Sequence, residues 1–365
     1  MADHATTNPR AALAVGELRA AAKKIVATPI FDYIDCGAGT GRTLRGNQRD
    51  LGRLALVPRC FRNVAAPELR MSVFGRTFAA PLGFSPTAFH RLVHSEGEIA
   101  TARASRSLGL PMISSCMSSI PLETVAEASG GADLWLQTYL FKDRGITLEL
   151  LDRAERAGYR AVVVTAGCPV PGHRPRNIRN RFSLPPDVGA ANFPRVDRVD
   201  FNNPVHSVGV ELDPSSTWQD LGWLRSKSKL PVVVKGIMSA RDIPALIDLD
   251  LAGVMVSNHG GRQLDGALST IRALGRVVEA VAGRMPVFID GGFRTGVDAL
   301  KALILGATGV FLGRPILWAL ATGGQAGIES SMNLLMEDLR RAMQLAGCPD
   351  LASARPDAAH LLEFT

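Results

Sequence analysis

Eight short apolar segments, each ending at polar or glycine-rich residues, constrain the fold of this 365-residue chain more than any other feature. Their β-branched content and the turn residues at their ends predict buried strands. The segments are Pro81–Ser85, Pro111–Ser114, Leu134–Gln137, Ala161–Thr165, Pro231–Val234, Gly253–Val256, Val287–Ile289 and Gly309–Leu312. Segments with helical periodicity lie between most of them, for example Glu96–Leu108, Ile146–Ala157 and Leu268–Ala282. Eight β/α repeats over about 240 residues predict an α/β fold, a (β/α)8 TIM barrel.

A doubly wound sheet is the rival α/β architecture, and it predicts a phosphate-binding glycine turn after the first strand. The run Gly37–Gly41 is the candidate for that turn, but its spacing is wrong and it follows the helical stretch Glu17–Tyr33 instead of a strand. We interpret it as a helix stop and a loop, which leaves the barrel as the predicted fold.

Two parts of the chain fall outside the repeat. Residues 1–75 are predicted to form an N-terminal helical extension that packs on the barrel of residues 76–365, the whole being a single domain. Residues from about 170 to 217 are predicted to form a long loop after the fourth strand, and a loop of this length is typical of a lid. A final helix over Gly327–Leu345 is expected to close the structure.

Composition narrows the function. The formal net charge of +7 comes from bases scattered along the chain, which argues against nucleic-acid binding and fits anionic small-molecule ligands. The five cysteines contain no CxxC pair, which favours reduced thiols over a disulfide framework or a zinc site. No run approaches the roughly 20 apolar residues of a membrane span, and Met1–Ile25 lacks the pattern of a cleaved signal. We therefore expect a cytoplasmic protein that binds no metal, nucleic acid or membrane.

The run Ser257–Gly266 carries the strongest chemical signal. It follows the predicted strand Gly253–Val256 and places His259, which can take up a proton, three residues from Arg262, whose guanidinium can bind a carboxylate through two hydrogen bonds. Glycines between the two let the backbone turn sharply and approach a ligand. The run predicts acid–base chemistry on a ligand that carries a carboxylate.

Polar side chains also follow the other predicted strands, at the end of a barrel where active sites lie. The turns Asp290–Arg294 and Gly313–Pro315 combine glycine with arginine after strands seven and eight, where barrels commonly hold a phosphate. Lys235 ends a buried strand, where an unpaired ammonium is costly, so we expect it to face an electron-rich group such as a reduced ring. The strand ends thus predict one site that binds both a phosphate and a heterocycle.

These motifs make the chain similar to the FMN-dependent α-hydroxy-acid oxidase and dehydrogenase family, which includes glycolate oxidase, lactate oxidase and mandelate dehydrogenase. The resemblance runs from about Phe31 to Cys348 and rests on Ser257–Gly266, with the Asp290–Arg294 and Gly313–Pro315 turns in agreement. It implies FMN as the cofactor and oxidation of an anionic 2-hydroxy acid to a 2-oxo acid. Electrons would pass to FMN and then to oxygen or another acceptor.

The resemblance also implies a role for each matching residue. His259 matches the catalytic base, Arg262 the group that binds the substrate carboxylate, and Arg174 an arginine near the mouth of the site. Tyr33 and Tyr139 match two tyrosines that contact the substrate carboxylate and hydroxyl, and they complete the catalytic set. The residues that match FMN contacts are Pro86, Thr87, Ala88, Ser114, Gln137, Thr165, Lys235, Ser257, Asp290, Gly292, Arg294, Gly313 and Arg314.

Two departures from the family pattern touch the chemistry. After the fourth strand the family usually has Thr-Val-Asp-Thr-Pro, whereas here Gly167 replaces the aspartate that pairs with the catalytic histidine. Such a carboxylate orients the imidazole and stabilises the imidazolium. Cys116 stands where several oxidases carry a bulky aromatic residue. We expect Gly167 and Cys116 to enlarge the pocket. Cys116 and Cys168 follow the second and fourth strands, which brings both near the site, and of the two roles open to them, site residue or structural thiol, we favour the structural one.

Three functions therefore remain open. In the first, the protein oxidises a 2-hydroxy acid with another group supporting His259. In the second, it is an FMN-dependent tailoring oxidase that carries out amine oxidation or oxidative decarboxylation on a larger natural-product or peptide-like substrate. In the third, it binds FMN without turnover. The presence of His259, Arg262, Tyr33 and Tyr139 argues against the third. The resemblance further implies a homo-oligomer, a tetramer or an octamer.

Overall fold

Eight parallel strands close into a barrel in the computed structural model, which describes residues 12–193, 211–351 and 362–364. The strands are β1 (Leu54–Leu56), β2 (Met71–Val73), β3 (Arg76–Phe78), β4 (Leu82–Phe84), β5 (Met112–Ser115), β6 (Leu134–Thr138), β7 (Ala161–Thr165), β8 (Val232–Ile237), β9 (Gly253–Val256), β10 (Val287–Asp290), β11 (Gly309–Leu312) and β12 (Leu362–Phe364). Strands β4 to β11 follow one another around the barrel, and β11 pairs with β4 to close it. The predicted fold is confirmed, with all eight predicted strands in place.

Helices surround the barrel. They are α1 (Val15–Ile25), α2 (Thr28–Asp35), α3 (Arg42–Gly52), α4 (Gly97–Leu108), α5 (Leu122–Ser129), α6 (Arg144–Arg156), α7 (Pro175–Arg179), α8 (Trp218–Lys227), α9 (Ile243–Asp248), α10 (Thr270–Val281), α11 (Gly296–Ile304) and α12 (Arg314–Ala346). The predicted closing helix is the second half of α12, which is interrupted at Gly323 and Gly324. Among the described helices, none is both long and apolar enough to cross a membrane.

The barrel interior is a packed apolar core. Alternate residues of each strand point inward, and Trp135, Phe288 and Phe311 meet there with ring centroids 5.5–5.7 Å apart. The β2–β3 hairpin closes the bottom, where Phe74 lies 5.3 Å from the Trp135 ring. The core therefore fills the lower barrel, and polar chemistry is confined to the carboxyl ends of the strands.

The N-terminal segment differs from its prediction in one respect. The helical stretch predicted over Glu17–Tyr33 is two helices, α1 and α2, because Pro29 cannot sit inside a continuous helix and instead occupies the first turn of α2. The Gly37–Gly41 run is the predicted loop, and α3 follows it. The long loop after the fourth barrel strand contains α7; its residues 194–210 lie outside the described part of the chain.

Candidate active site

A cavity opens at the carboxyl ends of the barrel strands, with an empty volume of about 1340 Å³ that includes open solvent at its mouth. Every side chain predicted for the site lines it except those of Ser114 and Ser257. The predicted residues that line it are Tyr33, Pro86, Thr87, Ala88, Gln137, Tyr139, Thr165, Arg174, Lys235, His259, Arg262, Asp290, Gly292, Arg294, Gly313 and Arg314. The structure thus brings together residues from segments far apart in the sequence.

Ser114 is displaced from its predicted role by strand alternation. Ile113 packs into the inner core, so the next side chain, Ser114, turns out of the barrel and the following one, Ser115, turns in. Ser115 lines the cavity and donates a hydrogen bond to Gln137 Oε1 at 2.9 Å. The hydroxyl available to a ligand on β5 is therefore that of Ser115.

A buried polar network, here called the Lys235 network, joins Ser85, Lys235, Ser257 and Asp290. Lys235 Nζ lies 3.0 Å from Asp290 Oδ2 and donates to Ser257 Oγ at 2.8 Å. Ser257 and Ser85 donate to the two Asp290 oxygens at 2.6 and 2.9 Å. The buried ammonium is thus paired, and Ser257 serves the site by holding Lys235 and Asp290 instead of facing the cavity.

Neutral polar groups form the wall beside this network. Gln137 Nε2 donates to Thr165 Oγ1 at 3.1 Å, which fixes the amide across β6 and β7. On the opposite side the Thr87 hydroxyl lies 2.6 Å from Nε2 of the buried His90. These donors and acceptors are suited to the polar edge of a planar heterocycle.

The far end of the cavity is built for an anion. Gly292 has a φ of +97°, and a Cβ there would come within 2.9 Å of the Asn47 backbone, so glycine is required for this turn. Burial lowers the pKa of Arg294 and Arg314, to about 10 and about 9, yet both remain positive at neutral pH. Since Arg314 also begins α12, cationic side chains and a helix N-terminus converge here, as in phosphate sites.

The His259–Arg262 loop adopts a strained conformation that exposes its chemistry. His259 has a φ of +56°, a left-handed value that is uncommon for a residue other than glycine. Asn258 braces the turn by accepting from Gly261 N at 3.1 Å and exchanging hydrogen bonds with Asn47 of α3. At Gly261 (φ +73°) a Cβ would lie 2.6 Å from Leu44 N. Helix α3 therefore packs tightly under the loop and holds it.

Carbonyl groups at the end of α2 bind two of the arginines. Arg262 Nη1 donates to the carbonyl oxygens of Tyr33 and Cys36 at 2.6 and 3.1 Å, and its guanidinium lies over the Tyr33 ring at 5.1 Å. Arg314 donates to the carbonyl oxygens of Ile34 and Cys36 at 2.9 and 3.0 Å. The N-terminal extension is thus part of the site.

The cavity carries a large positive surplus. Its charged lining, within the described residues, consists of one carboxylate, that of Asp290, and of five cationic side chains: Arg174, Lys235, Arg262, Arg294 and Arg314. Burial of the imidazole holds the pKa of His259 well below its usual value, and the positive charges of Lys235 and Arg262 lower it further. Burial raises the pKa of Tyr139 well above its usual range. The site therefore presents a neutral imidazole and a protonated phenol to an anionic ligand.

Cys168, interpreted from the sequence as a structural thiol, contacts His259. Its Sγ lies 3.1 Å from His259 Nδ1, and its side chain lines the cavity. Cys168, His259, Arg174 and Arg262 are here called the His259 group. Cys116, in contrast, is fully buried and is not among the described lining residues; its neighbour Met117 lines the cavity.

A second chamber of about 1220 Å³ adjoins the first behind Cys168. Tyr139, Thr165, Cys168 and Leu212 line both spaces. The other walls are largely apolar and include Leu140, Trp218, Leu221 and Ile237. Gly167, the neighbour of Cys168, is exposed, and a Cβ there would meet Gly236, which lines the second chamber.

Comparison with known proteins identifies the family. The model of the FMN-dependent dehydrogenase family matches residues 22–361. The chain belongs to this family. It is accordingly an FMN-dependent oxidoreductase that acts on 2-hydroxy acids. The donor set fits FMN, because the arginines and glycine turns after β10 and β11 can hold its phosphate while the Lys235 network and Gln137 face the space left for its ring.

Individual relatives cover nearly the whole chain. Human 2-hydroxyacid oxidase 1 is 43% identical over 90% of this chain and 91% of its own. The 4-hydroxymandelate oxidase of Amycolatopsis orientalis is 41% identical over 94% and 97%. A crystal structure of mandelate oxidase superposes with a TM-score of 0.90 at 40% identity, covering 97% of this chain and 99% of that one. The chain is therefore similar, over nearly its whole length, to a 2-hydroxyacid oxidase, a 4-hydroxymandelate oxidase and a mandelate oxidase.

Proposed function

We propose that this protein oxidises 2-hydroxy acids to 2-oxo acids with molecular oxygen as the final electron acceptor, using His259 as the base. The observation that carries the proposal is the convergence of His259, Arg262 and Arg174 on one cavity whose positive surplus matches an anionic substrate and an anionic cofactor. Oxygen is favoured as the acceptor because the relatives compared are named oxidases.

The substrate-binding residues act on the carboxylate and on the proton. Arg262, with Tyr33 stacked beneath its guanidinium, binds the carboxylate and thereby orients the 2-hydroxyl carbon. Tyr139 remains protonated and donates a hydrogen bond to substrate oxygen. His259 takes the proton that the substrate loses, and its low pKa keeps the imidazole neutral beforehand. FMN, when bound, supplies the two-electron acceptor for the oxidation.

The Lys235 network and the glycine turns serve the cofactor. Lys235, fixed by Asp290 and Ser257, would supply a positive charge to the electron-rich ring of bound FMN. Gln137, Thr165 and Ser115 supply the polar wall, while Arg294 and Arg314 balance the phosphate. In this proposal Ser115 takes the place that the sequence assigned to Ser114.

We propose that the preferred substrates carry a side chain larger than a methyl group. The second chamber provides apolar space behind Cys168, the residue that contacts His259, and Gly167 beside Cys168 carries no side chain. The similarity to mandelate oxidase supports the same direction. A series from glycolate through lactate to mandelate and 4-hydroxymandelate should show rising kcat/KM with side-chain size.

Anaerobic stopped-flow spectroscopy tests the function directly. Mixing the FMN-loaded protein with a 2-hydroxy acid should bleach the flavin absorbance, and admitting oxygen should restore it with release of hydrogen peroxide. Bleaching by 2-amino acids alone would favour amine oxidation. If no 2-hydroxy or 2-amino acid reduces the flavin, the protein is a binder without turnover and the proposal fails.

We also propose that the protein works as a cytoplasmic homo-oligomer. Phe61 and Leu345 are large apolar side chains exposed to solvent, and they lie on adjoining segments joined by a hydrogen bond from Arg59 N to Ala346 O at 3.1 Å. Such a surface is suited to contact with a second copy. Light scattering should give a mass of several chains, and Phe61→Asp should lower that mass.

A further inference from the structure

We propose that Cys168 is the positioning residue for His259, replacing the carboxylate that the family carries one residue earlier. This inference rests on the function proposed above, in which His259 is the base, and it names the group that supports that base. Cys168 follows β7 directly after Gly167, so the thiol enters the site from the same strand end that usually supplies the aspartate.

The contact lies on the correct side of the imidazole. Cys168 Sγ is 3.1 Å from Nδ1 of His259, whereas Nε2 makes no hydrogen bond to any described residue and is left for the substrate. A neutral imidazole carries one proton, and only the tautomer with that proton on Nδ1 leaves Nε2 able to accept another. A sulfur that accepts a hydrogen bond from Nδ1–H selects this tautomer and fixes the ring orientation.

The charges around His259 explain why it needs such a partner. Lys235 on β8, Arg174 after β7, Arg262 after β9 and Arg314 at the start of α12 all lower its pKa. Among the described titratable side chains, Cys168 is the one whose side chain contacts the imidazole, whereas the carboxylate of Asp290 in the same cavity is paired with Lys235. The Cys168 sulfur is therefore the acceptor available to the Nδ1 proton.

The same chemistry makes the support depend on pH. Burial raises the pKa of Cys168 to about 11, although the cations Lys235, Arg174 and Arg262 oppose that effect. At neutral pH the thiol sulfur is a weak acceptor, and the thiolate formed at higher pH is a strong one. In the reaction step the substrate proton moves to Nε2, the Nδ1 proton stays on the ring, and no bond to sulfur forms or breaks.

Kinetic tests compare substitutions at two buried cysteines in the FMN-loaded enzyme. Cys168→Ala should lower the rate of anaerobic flavin reduction by about 10–100-fold, as loss of an orienting partner does, and change the substrate Kd by less than about twofold. Cys168→Ser keeps an acceptor for Nδ1–H and should retain most of the rate at pH 7. The matched control Cys116→Ala should leave both the rate and its pH profile unchanged, because Cys116 does not line the cavity.

A rescue experiment separates positioning from a structural role. Adding Gly167→Asp to the Cys168→Ala variant should restore the flavin reduction rate, since the carboxylate returns to its usual place. The backbone admits this change: a Cβ at Gly167 would meet Gly236 Cα at 3.4 Å, an ordinary contact, and Gly167 has no left-handed φ. Equal loss of rate in the single and double variants, when Gly167→Asp alone moves the acid limb of kcat/KM, would overturn the proposal.

A readout without turnover keeps this inference separate from the proposed function. The ¹⁵N NMR shifts of His259 in the FMN-loaded protein without substrate should show the proton on Nδ1, and Cys168→Ala should give a mixture of tautomers. That result supports the Cys168–His259 pairing even where no hydroxy acid bleaches the flavin. The same tautomer in both proteins, with equal reduction rates, would contradict it.

Discussion

The Lys235 network and the His259 group lie a few residues apart on neighbouring strand ends, yet they balance charge in opposite ways. In the network the buried ammonium of Lys235 has Asp290 at 3.0 Å, and each carboxylate oxygen also accepts a serine hydroxyl. In the His259 group two arginines surround a neutral imidazole whose partner is the uncharged thiol of Cys168.

The difference separates stability from function. A buried ion pair with its remaining hydrogen bonds satisfied can persist without a ligand, so the Lys235 network is a preformed platform. The His259 group keeps a positive surplus that only an anion from outside can offset, which favours binding of a carboxylate. Changes in the first should therefore appear in folding and in FMN binding, and changes in the second in catalysis.

The largest expected effect comes from removing the base. His259→Asn should lower the rate of anaerobic flavin reduction by up to about 10⁴-fold, because proton transfer loses its acceptor. Absorbance titration should show FMN affinity within a few-fold of wild type, since the ring network is untouched. Wild-type reduction in this variant would remove His259 from the mechanism.

Breaking the Lys235 network should act on folding instead. Lys235→Met leaves Asp290 buried without its cation, so the free energy of unfolding should fall by about 3–5 kcal/mol. Denaturant unfolding followed by circular dichroism measures this, with Arg262→Met as the control from the other region. If Arg262→Met costs as much as Lys235→Met, the contrast between the two regions is wrong.

Replacing Arg262 by lysine should weaken substrate binding more than it slows catalysis. Arg262→Lys keeps the charge but loses the planar fork, and a hydrogen bond to a charged group contributes about 1.5–3 kcal/mol. We expect KM for hydroxy acids to rise about 10–100-fold, with a smaller change in kcat, in steady-state assays. An unchanged KM would show that Arg174 or Tyr139 carries the carboxylate.

The smallest predicted effect is a shift in pH dependence. The lowered pKa of His259 keeps the imidazole neutral at pH values under its usual pKa of about 6.5. The fall of kcat/KM on the acid side of the pH profile, the acid limb, should therefore lie below pH 6.5. Gly167→Asp should move this limb upward by at least about one pH unit and raise turnover of simple hydroxy acids, with FMN binding unchanged. A limb that does not move would mean that the new carboxylate fails to reach His259.

The lowered pKa of His259 also makes the stability of the folded protein depend on pH. The unfolded chain binds a proton at this histidine more readily than the folded protein does, so its contribution to stability is lost as the pH falls below about 6.5. Comparing unfolding free energies of the wild type and His259→Asn on either side of that pH isolates the contribution.

The strands and helices were predictable from the sequence because their side chains repeat with a regular period. Contacts between distant segments were not predictable. The eight strands followed from apolar runs bounded by turns, and the residues at their ends lie in one cavity because parallel strands share an end. Ser114 was assigned one residue out of phase, since the sequence gives the strand but not which face of it begins inside. That phase depends on packing with the neighbouring strands.

Side-chain partnerships were the part that was missed. Cys168 was interpreted as a structural thiol because nothing in its spacing from His259, 91 residues away, shows that sulfur and ring meet. The contacts of Asn47 with Asn258 and of Ser85 with Asp290 likewise join distant segments. The sequence offered one indirect indication of this contact: Gly167 stands in place of the expected aspartate, and the next residue, Cys168, has a side chain able to take its place.

The carbonyl groups of Tyr33, Ile34 and Cys36 determine which segments must be included when this active site is grafted onto another barrel. Two arginines that follow different barrel strands are aimed by one stretch of backbone that belongs to the extension and not to the barrel. A gene trimmed to begin at the first barrel strand would encode the scaffold and every strand-end loop, yet Arg262 and Arg314 would lose the acceptors that aim them. Moving this chemistry to another barrel therefore means moving α2 with the loops.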